Sequence, residues 1–268
     1  MRSASFIPEG LKITYLSFVE NKFYTGEFKL PKELILNYFK EGYVNYRTKK
    51  KVTYHNIYIG IAPGGVVVLW IAGNGGYQIE LGRYQAIETQ VDMADVNPSG
   101  ERDKDVYVKA IIKGDTDVVQ NLKENGIQFG LHDTYRIKYT WRPKITLPEN
   151  CRLKLCELEM FNAEAEKLFD EPLAKNEYTK RAIPKTIGLI WEDATGIEYA
   201  AEISLDWNEP ETFEAFKQIY SKDKEVKAEL VLKFVQMKGL DAFKVFLRTD
   251  KEEFELEDTH NGAYRLSD

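Results

Sequence analysis

Residues 66–72 read Val-Val-Val-Leu-Trp-Ile-Ala, closed by Pro63-Gly64-Gly65 on one side and Gly73-Asn74-Gly75-Gly76 on the other. An apolar run this short is far from the roughly 20 residues a membrane helix needs. It fits a strand buried on both faces. Proline presets φ and glycine accepts positive φ, so each flanking group predicts a tight turn into a further strand. The sequence therefore predicts a three-stranded antiparallel meander, over residues 54–62, 66–72 and 77–88.

Upstream, residues 11–19 and 23–30 form a strand pair turned by Glu20-Asn21-Lys22. Pro31 opens a helix over 32–41, where its missing N–H costs nothing. Leu34, Ile35, Tyr38 and Phe39 make the apolar face of that helix, and Gly42 stops it. Arg47-Thr48-Lys49-Lys50-Lys51 reads as a basic linker. Residues 92–105 hold almost no core-forming side chains and predict a long exposed loop. Beyond it the pattern predicts a strand over 106–112, a helix over 116–124, strands over 127–141 and 151–161, and a short helix over 163–169. A polar connector with Pro172 follows over 171–181.

The opening pattern then returns. Ile7-Pro8 is echoed by Ile183-Pro184. Residues 186–191 and 197–205 make a hairpin, Glu209-Pro210 opens a helix through Tyr220, and three strands follow over 225–235, 242–248 and 252–257. Tyr24, Glu27 and Leu30 align with Tyr199, Glu202 and Leu205; Phe39-Lys40 aligns with Phe216-Lys217, and Tyr43 with Tyr220. The expectation is an α+β chain of two diverged copies of a hairpin–helix–three-stranded antiparallel unit. The first copy covers residues 1–91, a loop and strand-rich middle region 92–182, and the second copy 183–268.

Chemistry-bearing motifs are sparse. Among 268 residues, 43 acidic and 37 basic side chains leave a net charge of −6. That balance disfavours a nucleic-acid groove, which needs a basic face, and leaves open a protein partner with a basic surface. Cys151 and Cys156, five apart on a strand, point to opposite faces and are read as packed thiols. His55, His132 and His260 stand in no metal spacing. Zinc, P-loop and nucleophile-elbow motifs do not occur. The glycine groups lie between strands, not between a strand and a helix where a phosphate loop belongs. Asp92, Asp95, Asp103 and Asp105 miss the calcium-loop spacing. The reading predicts no catalytic residue, no cofactor and no metal. Tyrosine, phenylalanine and tryptophan make up 13% of the chain, which favours a binding role mildly.

The run Ile61-Ala62-Pro63-Gly64-Gly65, with Trp70 and Gly73 after it, resembles the signature of an uncharacterised bacterial family, domain of unknown function 2931. Phe23-Tyr24-Thr25-Gly26 and Leu30-Pro31 are similar to its pattern too, and Ile190-Trp191-Glu192-Asp193 and Glu211-Thr212-Phe213 fit its longer members. The resemblance implies no established catalytic residue. It also implies an immunity role, since some similar proteins sit beside secreted toxins in bacterial genomes.

The leading expectation is therefore a non-enzymatic binding protein, in its most concrete form an immunity protein that occludes a cognate secreted toxin. Its candidate contacts are Asp92, Asp95, Glu101, Asp103 and Asp105, and the later group Glu157, Glu159, Glu164 and Glu166. The alternatives are a ligand-binding module, for saccharides among others, and a hydrolase with a carboxylate site at the seam between repeats. No signal-length apolar stretch follows the N-terminus, so the expected location is cytoplasmic, or periplasmic where a leader has been removed.

Overall fold

The computed structural model describes residues 7–237 and 240–266. It is a mixed α+β protein with seven helices and eighteen strands among the described residues, mostly in antiparallel sheets. Its contacts divide it into two compact units. The first holds the described residues up to Val44, Lys51–Gly73 and Glu80–Thr134. The second holds Asn45–Lys50, Asn74–Ile79 and the described residues from Tyr135 onward.

In the first unit, β1 (Gly10–Ser17) and β2 (Lys22–Lys29) form a hairpin extended by β8 (Ile87–Thr89). Helix α1 (Lys32–Glu41) has the predicted bounds, with Ile35 buried. Two-residue strands β3 (Tyr43–Val44) and β4 (Lys51–Val52) flank the basic segment, which is a hairpin turn instead of a linker. Strands β5 (Asn56–Ala62) and β6 (Val66–Gly73) follow as predicted, with β5 at the edge; the third strand, predicted over 77–88, ends as β7 (Tyr77–Gln85), and β8 carries its remainder into the hairpin's sheet. Every residue from Val66 to Ala72 is buried, as the apolar run required.

The motif glycines have steric reasons. Gly65 has φ +78°, and a Cβ there would lie 2.5 Å from the Ala86 carbonyl oxygen. A Cβ on Gly73 would enter the ring of Tyr43.

The segment 92–105 is not one long loop. It contains the short helix α2 (Met93–Val96). The predicted strand over 106–112 is helix α3 (Lys104–Lys113). Its β-branched residues suggested a strand, but the Asp103 carboxylate caps the amides of Asp105 and Val106 and starts a helix. Helix α4 (Thr116–Asn125) stands where predicted. Residues 127–141, expected as strand, open instead with helix α5 (Leu131–Tyr135).

The second unit has two sheets. One runs β18 (His260–Arg265), β14 (Glu198–Ser204), β13 (Pro184–Glu192), β10 (Arg152–Met160), β11 (Ala165–Leu168), with Ala165 bridged to Gln78 at the start of β7. The other runs β12 (Thr179–Arg181), β9 (Tyr139–Thr146), β15 (Ala228–Met237), β16 (Leu240–Arg248), β17 (Glu253–Leu256), with β9 and β15 parallel. Helix α7 (Glu209–Lys222) places Phe216 and Ile219 in one core with Trp141, Ile187, Leu189, Ile203, Leu230 and Val245.

Two further expectations fail here. Residues 163–169 contain strand β11, not a helix: Ala163 turns at φ +64°, and Cys156 then pairs with Leu168 across the hairpin. The polar connector contains helix α6 (Asp170–Lys175) and β12. Strand β18 had no clear alternation to predict it.

Candidate functional site

The nine acidic candidates fall into two groups, one in each unit. In the first unit, Asp92 caps α2 by accepting from the Ala94 amide at 2.8 Å. Glu101 accepts from the amides of Arg102 and Asp103, both at 2.8 Å. Asp103 caps α3, and Asp105 accepts from Asn21 Nδ2 at 2.6 Å. In the second unit, Glu157 pairs with Lys167 and Glu166 with Arg181. Glu164 accepts from Lys138 at 2.6 Å and from Asn162 Nδ2 at 3.1 Å. Asp95 and Glu159 are exposed and make no side-chain hydrogen bond or ion pair among the described residues. Most of these carboxylates thus serve the fold.

The residues that do converge are cationic. The turn over 45–50 is closed by Asn45, whose Oδ1 accepts from the Thr48 amide at 3.0 Å and the Thr48 hydroxyl at 3.1 Å. This holds Arg47 and Lys49 beside the start of α6. Lys49 Nζ lies 2.9 Å from Asp170 Oδ2, 4.3 Å from the centre of the Phe169 ring and 4.6 Å from that of Tyr46. Strand β9 contributes Lys144, and β10 contributes Arg152 and Lys154. Together with Leu173 and Asn176 these residues line an open cleft of about 740 Å³ within the second unit, in the size range of ligand sites.

Five of its side chains are basic and one, Asp170, is acidic. Behind the wall, Glu192 takes hydrogen bonds from Arg152 at 2.7 and 2.9 Å, and Lys154 reaches Glu192 at 3.2 Å and also pairs with Glu198. Lys144 is 3.4 Å from Glu229. Burial pushes the Glu229 carboxyl up, but hydrogen bonds from Arg248, Arg142 and Lys144 outweigh it and hold the pKa at about 2. These partners fix the cations in place and neutralise part of their charge. Arg47 is different. It is exposed, and among the described residues it has no hydrogen bond or ion pair. Its charge adds to burial in lowering the pKa of Lys167. The arrangement can receive an anionic group: a planar guanidinium offers two parallel donors to a carboxylate or phosphate.

The sequence held this signal in the basic run 47–51, but the other walls come from residues far along the chain. Burial holds the Cys156 thiol up at about 12, and the Cys151 thiol is raised by burial and by Asp193, so neither is poised as a nucleophile. Trp207 is 70% exposed and stacks on His260 at 5.1 Å.

The motif residues of the first unit meet at a residue the sequence did not single out. Glu20, in the β1–β2 turn, accepts from the Tyr24 hydroxyl at 2.7 Å and the Ser17 hydroxyl at 2.8 Å. Both of its oxygens also lie 3.1 Å from the Gly64 amide. Gln85 closes the same turn from the other side, donating to the Gly64 carbonyl at 2.6 Å. Tyr24 and the Pro63-Gly64-Gly65 turn are thereby one structural device.

No curated protein and no solved structure matches the chain. The later segments Ile190-Trp191 and Glu211-Thr212-Phe213 lie beyond the part that a family model matches, while Tyr24, Pro63 to Gly65, Trp70 and Gly73 lie within it. Over residues 1–130, this chain matches the family described as a protein of unknown function (DUF2931).

Proposed function

We propose that this chain is a binding protein that receives an acidic group of a partner macromolecule in the cleft lined by Arg47, Lys49, Lys144, Arg152 and Lys154. The observation that carries this reading is the uncommitted Arg47 guanidinium among cations that are already held in place. A groove lined by one sign of charge concentrates the opposite sign. The test is titration of the chain with fluorescent oligoglutamate and oligolysine peptides, followed by anisotropy. Oligoglutamate should bind, weaken as salt is raised, and fail to bind Arg47→Glu.

Binding of oligolysine alone would overturn this reading. It would return the contact to the acidic surface, and so to the narrower form of the function: an immunity protein that occludes a cognate toxin with a basic surface. Asp95 and Glu159 are then the first residues to reverse in charge. A saccharide-binding role is favoured by one observation, the exposed Trp207 ring backed by His260. Loss of glycan binding in Trp207→Ala would be its signature.

We also read the two hairpin–helix segments as diverged copies. The Leu30 amide bonds back to the Glu9 carbonyl at 2.9 Å, and the Leu205 amide to the Lys185 carbonyl at 2.8 Å. Tyr24 lies opposite Tyr15, and Tyr199 opposite Trp191, at matching steps of each ladder. Superposing the hairpins of an experimental structure should bring Tyr24 onto Tyr199 and Leu30 onto Leu205; any other correspondence counts against common descent.

A further inference from the structure

Sheet edges are normally guarded, because an unpaired row of N–H and C=O groups invites another strand. Four other edge strands among the described residues follow that rule. β1 carries Lys12, and β12 has three residues including Lys180 and Arg181. β17 has four residues including Glu253 and Glu255, and β18 ends in Arg265. Strand β5 does not follow it. Asn56-Ile57-Tyr58-Ile59-Gly60-Ile61-Ala62 has no charge, no proline and no register shift against β6. Among the described residues no strand pairs with its outer side. Tyr58 is 49% exposed, Ile59 47% and Ile61 52%.

We propose that β5 is a self-association edge, on which a second copy of the chain adds its own β5, antiparallel, about a two-fold axis through Ile59. The occupant follows from self-complementarity. An uncharged strand sets no like charges opposite each other when it meets itself, and an isologous contact closes after two copies. An axis normal to the sheet keeps each face continuous, so the centre falls on a residue, and Ile59 gives the full overlap. Ile59 then faces Ile59, Ile57 faces Ile61, and Tyr58 faces Gly60. The last pair sets an aromatic ring over a glycine, beside the Trp70 ring that already covers Gly60.

The apolar edge continues past the end of β5 to Phe129, which is 62% exposed and packs at Gly64. A seven-residue ladder is about 24 Å long, so the contact falls below the roughly 800 Å² per partner of a standard interface. The dimer is accordingly weak and concentration-dependent.

Sedimentation equilibrium of the full chain from about 1 µM to about 1 mM covers the range in which such a complex dissociates. A monomer–dimer equilibrium is expected. Ile59→Lys should weaken it by at least about tenfold, since two ammonium groups would then face each other, and Ile61→Lys should weaken it as well. Both positions are solvent-exposed, so circular dichroism and Tm should hold. Under mild oxidation Ile59→Cys should cross-link between copies, Tyr58→Cys should not, and the wild-type chain should stay uncross-linked. A monomer at every concentration, a dimer untouched by both lysine variants, or preferential cross-linking of Tyr58→Cys would each overturn the proposal.

Discussion

In hairpin β1–β2, Gly10 lies opposite Lys29 and Tyr15 opposite Tyr24; in β13–β14, Thr186 lies opposite Ser204 and Trp191 opposite Tyr199. The aromatic pairs stack in both, with ring centres 5.6 Å and 5.8 Å apart. An acid in each turn accepts from the matching tyrosine hydroxyl: Glu20 from Tyr24, Asp193 from Tyr199. The surroundings differ. β13 lies between β10 and β14, and β14 is covered in turn by β18, so Ile187, Leu189, Trp191 and Ile203 are buried. β1 is an edge strand, and Leu11, Ile13 and Tyr15 are only partly covered. Register and ring pairing are thus local properties of a hairpin, while the stability it supplies is set by what lies beside it.

The largest effect expected from that difference is in the core. Ile187→Ala should cost about 3–5 kcal/mol, because it removes a fully buried side chain from a packed site. The equivalent change in the first hairpin, Leu11→Ala, should cost about 1–2 kcal/mol, since less area is lost from a part-exposed site. A chain of two units need not unfold in one step, so hydrogen exchange read separately in β13–β14 and in β1–β2 is the right measure. Equal losses in both hairpins would break the comparison.

The turns differ in reach. Asp193 closes its own turn, accepting from the Thr195 amide at 2.8 Å, the Thr195 hydroxyl at 2.6 Å and the Ile197 amide at 3.1 Å. Glu20 also holds a second turn, through the Gly64 amide. Glu20→Ala should therefore cost about 2–4 kcal/mol, as partly buried donors lose a charged acceptor, and should deprotect the Gly64 and Gly65 amides far from the substitution. Asp193→Ala should have the smaller effect and confine it to residues 193–197. Protection changes at Gly64 decide the matter. If Glu20→Ala leaves them untouched, the motif turn is held by Gln85 and its backbone alone.

The contrast also separates what the sequence could disclose. The strands 54–62 and 66–72 and the start of the third at Tyr77 were legible because glycine turns and an uninterrupted apolar run leave one solution; the break before β8 was not. Helix α1 was legible because proline and glycine bracket it. Helix α3 was not, because Val106, Val108, Ile111 and Ile112 favour a strand locally and the deciding term is a cap at Asp103. β11 was hidden in the same way. Its Glu166 is charged, and it sits in a strand because Arg181, itself buried, comes to it from β12. The cleft escaped for a geometric reason. Arg47 lies about a hundred residues before Lys144 and Arg152 in the chain, and only the fold sets them around one volume. Acidic stretches, by contrast, were easy to see in the sequence and were mostly caps and ion pairs.

The smallest expected effect is a pH response in one turn. The hydrogen bond from Thr195, together with those from its amide, the Ile197 amide and Tyr199, holds the Asp193 carboxyl below its ordinary value of 3.8. A carboxyl whose folded value is depressed stabilises the fold in its charged form. That contribution is complete above the unfolded value of about 3.9, and is lost as pH falls through the lower folded value. Protection factors of the Thr195 and Ile197 amides should therefore hold from neutral pH down to about pH 5 and fall toward pH 2. The Gly196 amide, which donates to the Asp193 backbone carbonyl at 3.0 Å, should respond less. Asp193→Asn should remove the pH dependence at Thr195 and Ile197. Acid loss of protection at all three amides together would mean that the whole hairpin opens, and that this turn has no separate stability.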